Sequence, residues 1–244
     1  MSRPASGLSP RRRQYLRALG IPVWRERGAV AEAPSSTVAA GAVSVTAGEA
    51  GAWQQLEQEV ANCTKCELYQ SRTQAVFGVG NRRAEWMVIG EAPGKDEDAQ
   101  GEPFVGRAGK LLNAMLEAMG FAREDVYIAN ILKSRPPKNR DPKPAEVAAC
   151  EPYLQRQIAL INPKIMLAIG RVAAQNLLKV DTPIGKLRGQ RLAYAVSEVG
   201  RIPVVVTYHP AYLLRSPQDK RKAWQDLLLA QQVYEESRQQ AGAA

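Results

Sequence analysis

Four short stretches of this sequence hold most of the side chains able to do chemistry. Cys63-Thr64-Lys65-Cys66 sets two thiols at a spacing used by metal ligands and by redox pairs, and a third, Cys150, stands far downstream. An odd number of cysteines argues against a disulfide framework, and three thiolates fall one short of a closed four-ligand metal site. Gly90-Glu91-Ala92-Pro93-Gly94 places a carboxylate in a glycine-rich turn, with Glu97 and Asp98 close behind. A carboxylate there can orient water or stabilise a developing positive charge. Asn130 offers an amide that donates and accepts together, and Tyr208-His209-Pro210 contains the chain's one histidine. The cations Lys133, Arg135, Lys138, Arg140 and Lys143 follow Asn130, and Arg215 follows the histidine. With a net charge of +9, they point to a polyanionic partner.

These groups need elements to position them. Glu85–Gly90, Val126–Ile131, Lys164–Ile169 and Pro203–Thr207 are short apolar runs of the kind that form buried parallel strands. Between them, Ala108–Met119 carries Leu111, Leu112, Met115, Leu116 and Met119 on one helical face and stops at Gly120. Pro144–Ile161 is a helix opened by proline, with Val147, Cys150, Leu154, Ile158 and Ile161 inward. Further helices run from Gly170 to Leu178 and from Lys220 to about Glu235. Alternating strands and helices predict an α/β fold of three layers, αβα, around a central, mainly parallel four-stranded sheet. Ligands of such sheets bind beyond the carboxyl ends of the strands. Gly90-Glu91, Asn130 and Tyr208-His209 each follow or end a strand, so polar groups from distant parts of the chain converge on one rim.

The motifs at that rim resemble a known family. Gly90-Glu-Ala-Pro-Gly-Lys-Asp-Glu-Asp98 with Gly101-Glu-Pro-Phe-Val-Gly-Arg-Ala-Gly-Lys-Leu-Leu112 resembles the first motif of family 4, iron–sulfur type, uracil-DNA glycosylases. Asn130-Ile-Leu-Lys-Ser-Arg-Pro-Pro-Lys-Asn-Arg140 resembles their central motif, and His209-Pro-Ala-Tyr-Leu-Leu-Arg215 their third. The resemblance implies a monofunctional enzyme that hydrolyses the N-glycosidic bond of deoxyuridine in DNA, releasing uracil and leaving an abasic site. It makes Phe104 the ring on which an extruded uracil stacks, Asn130 the reader of its O4 and N3–H edge, and Gly90 and Ala92 further parts of the substrate site. His209 is the implied donor to uracil O2 as the bond breaks. Glu91 and Glu97 are jointly the implied water-handling carboxylates; the best-known uracil glycosylases carry an aspartate where this chain has Ala92. Lys133, Arg135, Lys138, Arg140 and Arg215 would meet DNA phosphates, which position without reading sequence. Leu213 and Leu214 would either wedge into the base stack or pack in the core.

Family 4 enzymes hold a 4Fe–4S cluster with four cysteines. Cys63, Cys66 and Cys150 fall on three of those positions, and the fourth is Ser134. The resemblance therefore implies a 4Fe–4S cluster with Ser134 as an oxygen ligand, with a labile cluster, zinc or no metal as the alternatives. A non-catalytic DNA-binding relative that recognises uracil is the competing reading of the fold, and a redox protein using the Cys-Thr-Lys-Cys pair a third. Residues 1–50, with Arg11, Arg12 and Arg13, read as a basic extension and linker, and 51–244 as the catalytic domain. No stretch approaches the ~20 apolar residues that span a bilayer. A monomer in the cytoplasm, acting on uracil-containing DNA without a nucleotide cofactor, is the expectation.

Overall fold

A computed structural model describes residues 47–196 and 200–242. The expected basic helix and most of the linker lie outside that range. The first helix, α1 (Ala47–Ala61), begins slightly inside the stretch expected to be linker, and Trp53, Leu56 and Val60 bury its inner face.

Six strands form one sheet: β1 (Val79–Gly80), β2 (Trp86–Gly90), β3 (Tyr127–Asn130), β4 (Ile165–Ile169), β5 (Leu192–Val196) and β6 (Gly200–Thr207), in the order β1-β3-β2-β4-β6-β5. The central four are parallel, and they are the four expected from apolar runs. Two antiparallel edge strands, β1 on β3 and β5 on β6, complete the sheet. β5 is itself an apolar run, Leu-Ala-Tyr-Ala-Val, outside the four strands expected. β1 is only two residues long, and every residue of β5 is at least partly exposed.

Successive side chains of each strand point to opposite faces, so each buried strand feeds two cores. Met87, Ile89, Ala129, Met166, Ala168 and Val204 face α1, α4 (Pro144–Ile161) and α5 (Arg171–Leu178). Trp86, Val88, Ile128, Leu167, Ile169 and Val205 face α3 (Arg107–Met119) and the closing helix α8 (Lys220–Gly242). The helix boundaries have local causes. Gly120, at φ 92°, ends α3 in the left-handed conformation. Pro144 opens α4 while Glu146 accepts the Lys143 N–H at 2.8 Å. Three short helices, α2 (Lys95–Gln100), α6 (Ile184–Leu187) and α7 (Pro210–Arg215), line the connections around the carboxyl rim. Among the described residues, no helix is long and apolar enough to cross a membrane.

Candidate active site

β2 and β3 pair in parallel register, so Gly90 and Asn130 stand side by side at their carboxyl ends. Only hydrogen fits at position 90. A Cβ there would lie 2.4 Å from Asn130 Oδ1 and 2.6 Å from Phe104 Cζ. The missing side chain lets an amide and an aromatic ring approach one point of the backbone. Asn130 is 2% exposed, and its Oδ1 has no hydrogen-bond partner. Leaving a buried acceptor unpaired costs about 1–3 kcal/mol, an expense found where a ligand supplies the donor.

Phe104 sits between α2 and α3 with φ 55°, a left-handed conformation that costs a side-chain-bearing residue about 1–3 kcal/mol. Its ring lies against His209, with centroids 5.6 Å apart and planes 31° apart. His209 caps α7, and its Nδ1 accepts the Ala211 N–H at 3.1 Å. A neutral ring held this way carries its proton on Nε2. Burial, with help from the Arg215 charge, pushes the His209 pKa down to about 4. At neutral pH the ring is therefore an uncharged donor, facing the same space as Phe104.

The segment leading into His209 is pinned from below. Asp226 on α8 accepts from Thr207 Oγ1 at 2.8 Å and from Arg188 Nε and Nη2 at 2.7 and 3.0 Å. The Arg188 guanidinium also stacks over the Tyr208 ring at 4.2 Å. Neither Arg188 nor Asp226 stands out in the sequence reading. The available signal was a lone carboxylate on the inward stripe Ala223, Leu227 and Ala230.

The two carboxylates differ. Glu91 is half-buried at the end of β2, and burial, reinforced by the Asp141 carboxylate and opposed by Arg171, raises its pKa to about 7. Glu97 instead accepts backbone N–H groups from Gly94 at 3.1 Å, Val105 at 3.0 Å and Gly106 at 3.3 Å. Both its oxygens hold loops together. Ala92 is partly buried against the α4–α5 core, and Asp98 is buried with both oxygens on the Thr73 N–H.

Residues 77–228 match the family model of the uracil DNA glycosylase superfamily. The chain belongs to this superfamily. It is similar to the type-4 uracil-DNA glycosylase of Archaeoglobus fulgidus, 49% identical over 166 residues that cover 66% of this chain and 82% of that one. It is similar as well to the type-4 enzymes of Saccharolobus solfataricus (46% identity; 70% of this chain and 81% of that one covered) and Sulfurisphaera tokodaii (46%; 67% and 76%).

The basic residues of this superfamily member separate once folded. Lys133 is a correction to the expected phosphate-contacting set. It is 2% exposed, and its Nζ donates inward to Asn130 O at 3.0 Å and Gln157 Oε1 at 2.6 Å. Gln157 passes the network on to Phe77 O and the Tyr127 hydroxyl. Burial lowers the Lys133 pKa to about 7. Arg140 turns its fork onto Glu146, at 2.9 and 2.5 Å, so it braces the start of α4. Arg135 is partly exposed and bonded to Asn139 Oδ1, while Lys138 and Arg215 are exposed. Leu213 is buried and Leu214 exposed, which leaves only Leu214 free to wedge.

The cysteines lie on the α4 side of the sheet. Cys63 packs against Leu56, Val60 and Tyr153, and Cys66 against the core that contains buried Cys150. Burial raises the Cys150 thiol, and the thiols of Cys66 and Cys63 are near enough to raise it further. Ser134 is buried, and its Oγ accepts from Arg72 Nη1 at 2.9 Å. As placed, no three His, Cys, Asp or Glu side chains among the described residues stand close enough to hold a metal ion.

Proposed function

We infer that the protein is a monofunctional uracil-DNA glycosylase, hydrolysing the N-glycosidic bond of deoxyuridine in DNA. The observation that carries this reading is the buried, unpaired Asn130 Oδ1 beside the Phe104 ring and above the bare backbone of Gly90. A flat base with a ring N–H next to a carbonyl fits that corner. Its N–H donates to Oδ1, the Asn130 amide donates to its O4, and Phe104 covers one face. Cytosine presents the opposite pattern at those two atoms.

As the bond between sugar C1′ and base N1 breaks, its electron pair moves onto uracil and gathers at O2. His209 meets that charge with a neutral Nε2–H, its Nδ1 being held by the Ala211 N–H. A donor aimed at charge that appears only in the transition state contributes about 3–4 kcal/mol. Water then adds its oxygen to C1′ and gives up a proton, and uracil leaves after gaining one. Glu91 is the carboxylate assigned to that water, because its pKa near 7 matches proton exchange at neutral pH. Glu97 is assigned to shaping the loops. Exposed Lys138 and Arg215 and partly exposed Arg135 are assigned to the phosphates.

A 4Fe–4S cluster on Cys63, Cys66 and Cys150, with Ser134 at the remaining corner, belongs to the same proposal. The donor chemistry fits a polyanionic thiolate group. Lys133 is fully buried on two neutral oxygens, and Cys150 is the acidic group that acts on it. A polyanion bound beside Cys150 would favour the charged form of that amine. Bound there, the group would tie the end of α1 to the loop after β3.

One assay tests the reading. An oligonucleotide with a single uracil, incubated with protein and then alkali, should be cut at that position, while thymine in the same place leaves it whole. Intact uracil strands after long incubation with excess protein would leave only the binding reading.

A further inference from the structure

We propose that Arg123 is a positioning residue that clamps the Phe104 strap and so fixes the width of the base slot, an inference that rests on reading Phe104 as the stacking ring. The strap is held from both sides. Arg123 Nη2 donates to Pro103 O at 2.5 Å and Nη1 to Phe104 O at 3.4 Å, while Glu97 accepts the N–H groups of Val105 and Gly106. A cation grips the carbonyls of the two peptides that flank Phe104, and an anion grips the N–H of the second of them and of the next.

Between these grips, Phe104 keeps its left-handed φ of 55°. Its carbonyl presses so closely on the first turn of α3 that a Cβ on Gly109 would lie 1.8 Å from it. Nothing in a free chain favours that conformation for phenylalanine. Arg123 is itself anchored through Nη1 to Asn113 Oδ1 at 3.1 Å. It sits in the single 3-10 turn Arg123–Asp125 that feeds β3, the strand ending in Asn130. Ring and reader amide are thereby referred to one support. Three of the guanidinium's five N–H donors go to protein oxygens, two of them backbone carbonyls of the strap. A lysine cannot reproduce the fork.

The test is a double-mutant cycle of Arg123→Met and Phe104→Leu, read by single-turnover uracil release from a single-stranded oligonucleotide. Binding to an abasic oligonucleotide and a thermal melt accompany each variant. Misplacing a reacting group by about 1 Å costs up to about 100-fold, so Arg123→Met should lose about 10- to 100-fold in the single-turnover rate. Binding should stay within about twofold. In the Phe104→Leu background the same change should cost less than about threefold, because the clamp then has no ring to place. Arg123→Lys should recover only part of the loss, and it carries the cycle if Arg123→Met does not fold. Equal losses in both backgrounds, or no loss in the wild-type one, would overturn the clamp. Full activity of Phe104→Leu would instead sink the stacking reading, a separate result.

Discussion

The base slot and the cysteine patch adjoin at the segment from Asn130 to Ser134, yet they are built on opposite principles. At the slot, protein contacts do nearly everything. Gly90, Phe104, Asn130 and His209 meet within van der Waals or ring-contact distance at the ends of a rigid sheet, and one acceptor is left for a ligand. At the patch, thiols are spread over two packing clusters; the Lys133 N–H reaches Cys150 Sγ at 3.5 Å, and the next residue, Ser134, is buried and bonded to Arg72. The sheet itself positions the slot, whereas the patch gathers cations around donors of variable charge. Lys133 connects the two, since its Nζ holds the backbone carbonyl of Asn130.

The largest effect should come from the slot. His209→Ala is expected to lower kcat by about 100- to 1,000-fold, the usual loss of one transition-state donor. DNA binding should stay close to wild type, because the ring faces the base slot and makes no phosphate contact in this reading. Asn130→Asp should cost less in rate and more in selection, since a carboxylate cannot donate to O4; the ratio of uracil to cytosine release measures it. A fully active His209→Ala would return the histidine to a purely structural role, capping α7.

Glu91 and His209 also make opposite demands on pH. The folded Glu91 carboxyl keeps its proton up to about 7 against an ordinary 4.5, so raising the pH through that window costs stability. Folded His209 refuses a proton until about pH 4, whereas the unfolded chain takes one near 6.5, so lowering the pH through that window costs stability. Glu91→Gln should flatten the first slope and His209→Ala the second, read from denaturant midpoints across pH 4 to 7. If ionised Glu91 handles the water, kcat in the wild type should rise through about pH 7, and that limb should vanish in Glu91→Gln. A limb that survives the substitution moves the task to another group.

Much of the slot was legible in the sequence because its residues sit at strand ends, and buried parallel strands announce themselves as apolar runs. Gly90, Asn130 and His209 follow directly from Trp86–Gly90, Tyr127–Asn130 and Gly200–Thr207. What stayed hidden depends on where a cation turns after folding. Lys133 and Lys138 look alike in a basic run, yet one enters the core behind Ile131 and Leu132 and the other stands in solvent. Arg123 acts through backbone carbonyls, Arg188 through the Tyr208 ring, and Asp226 through Arg188 and Thr207, partners distant in the chain that no linear spacing reveals. β5 escaped because an edge strand can alternate small and large residues and still pair on one side.

The smallest effect on chemistry, and the sharpest on the comparison, should come from the patch. Protein purified without oxygen is expected to be brown, with iron and sulfide held by Cys63, Cys66 and Cys150. Ser134 is the weak corner. A serine oxygen is harder and more basic than a thiolate and binds iron less readily at neutral pH. Here it also already accepts a hydrogen bond from Arg72, which competes for the same lone pairs. Ser134→Cys should therefore lengthen the life of the visible absorbance in air while changing kcat by less than about twofold, because the slot's contacts lie on the sheet. Removing the metal with a chelator should lower the melting temperature first. Activity should follow only as Lys133 loses its counter-charge and loosens the Asn130 carbonyl. Zinc in place of iron would keep a metal centre and discard the cluster. Neither metal, in protein that still releases uracil, would show that Lys133 and Arg72 are tolerated beside three free thiols, and the patch would then be packing alone.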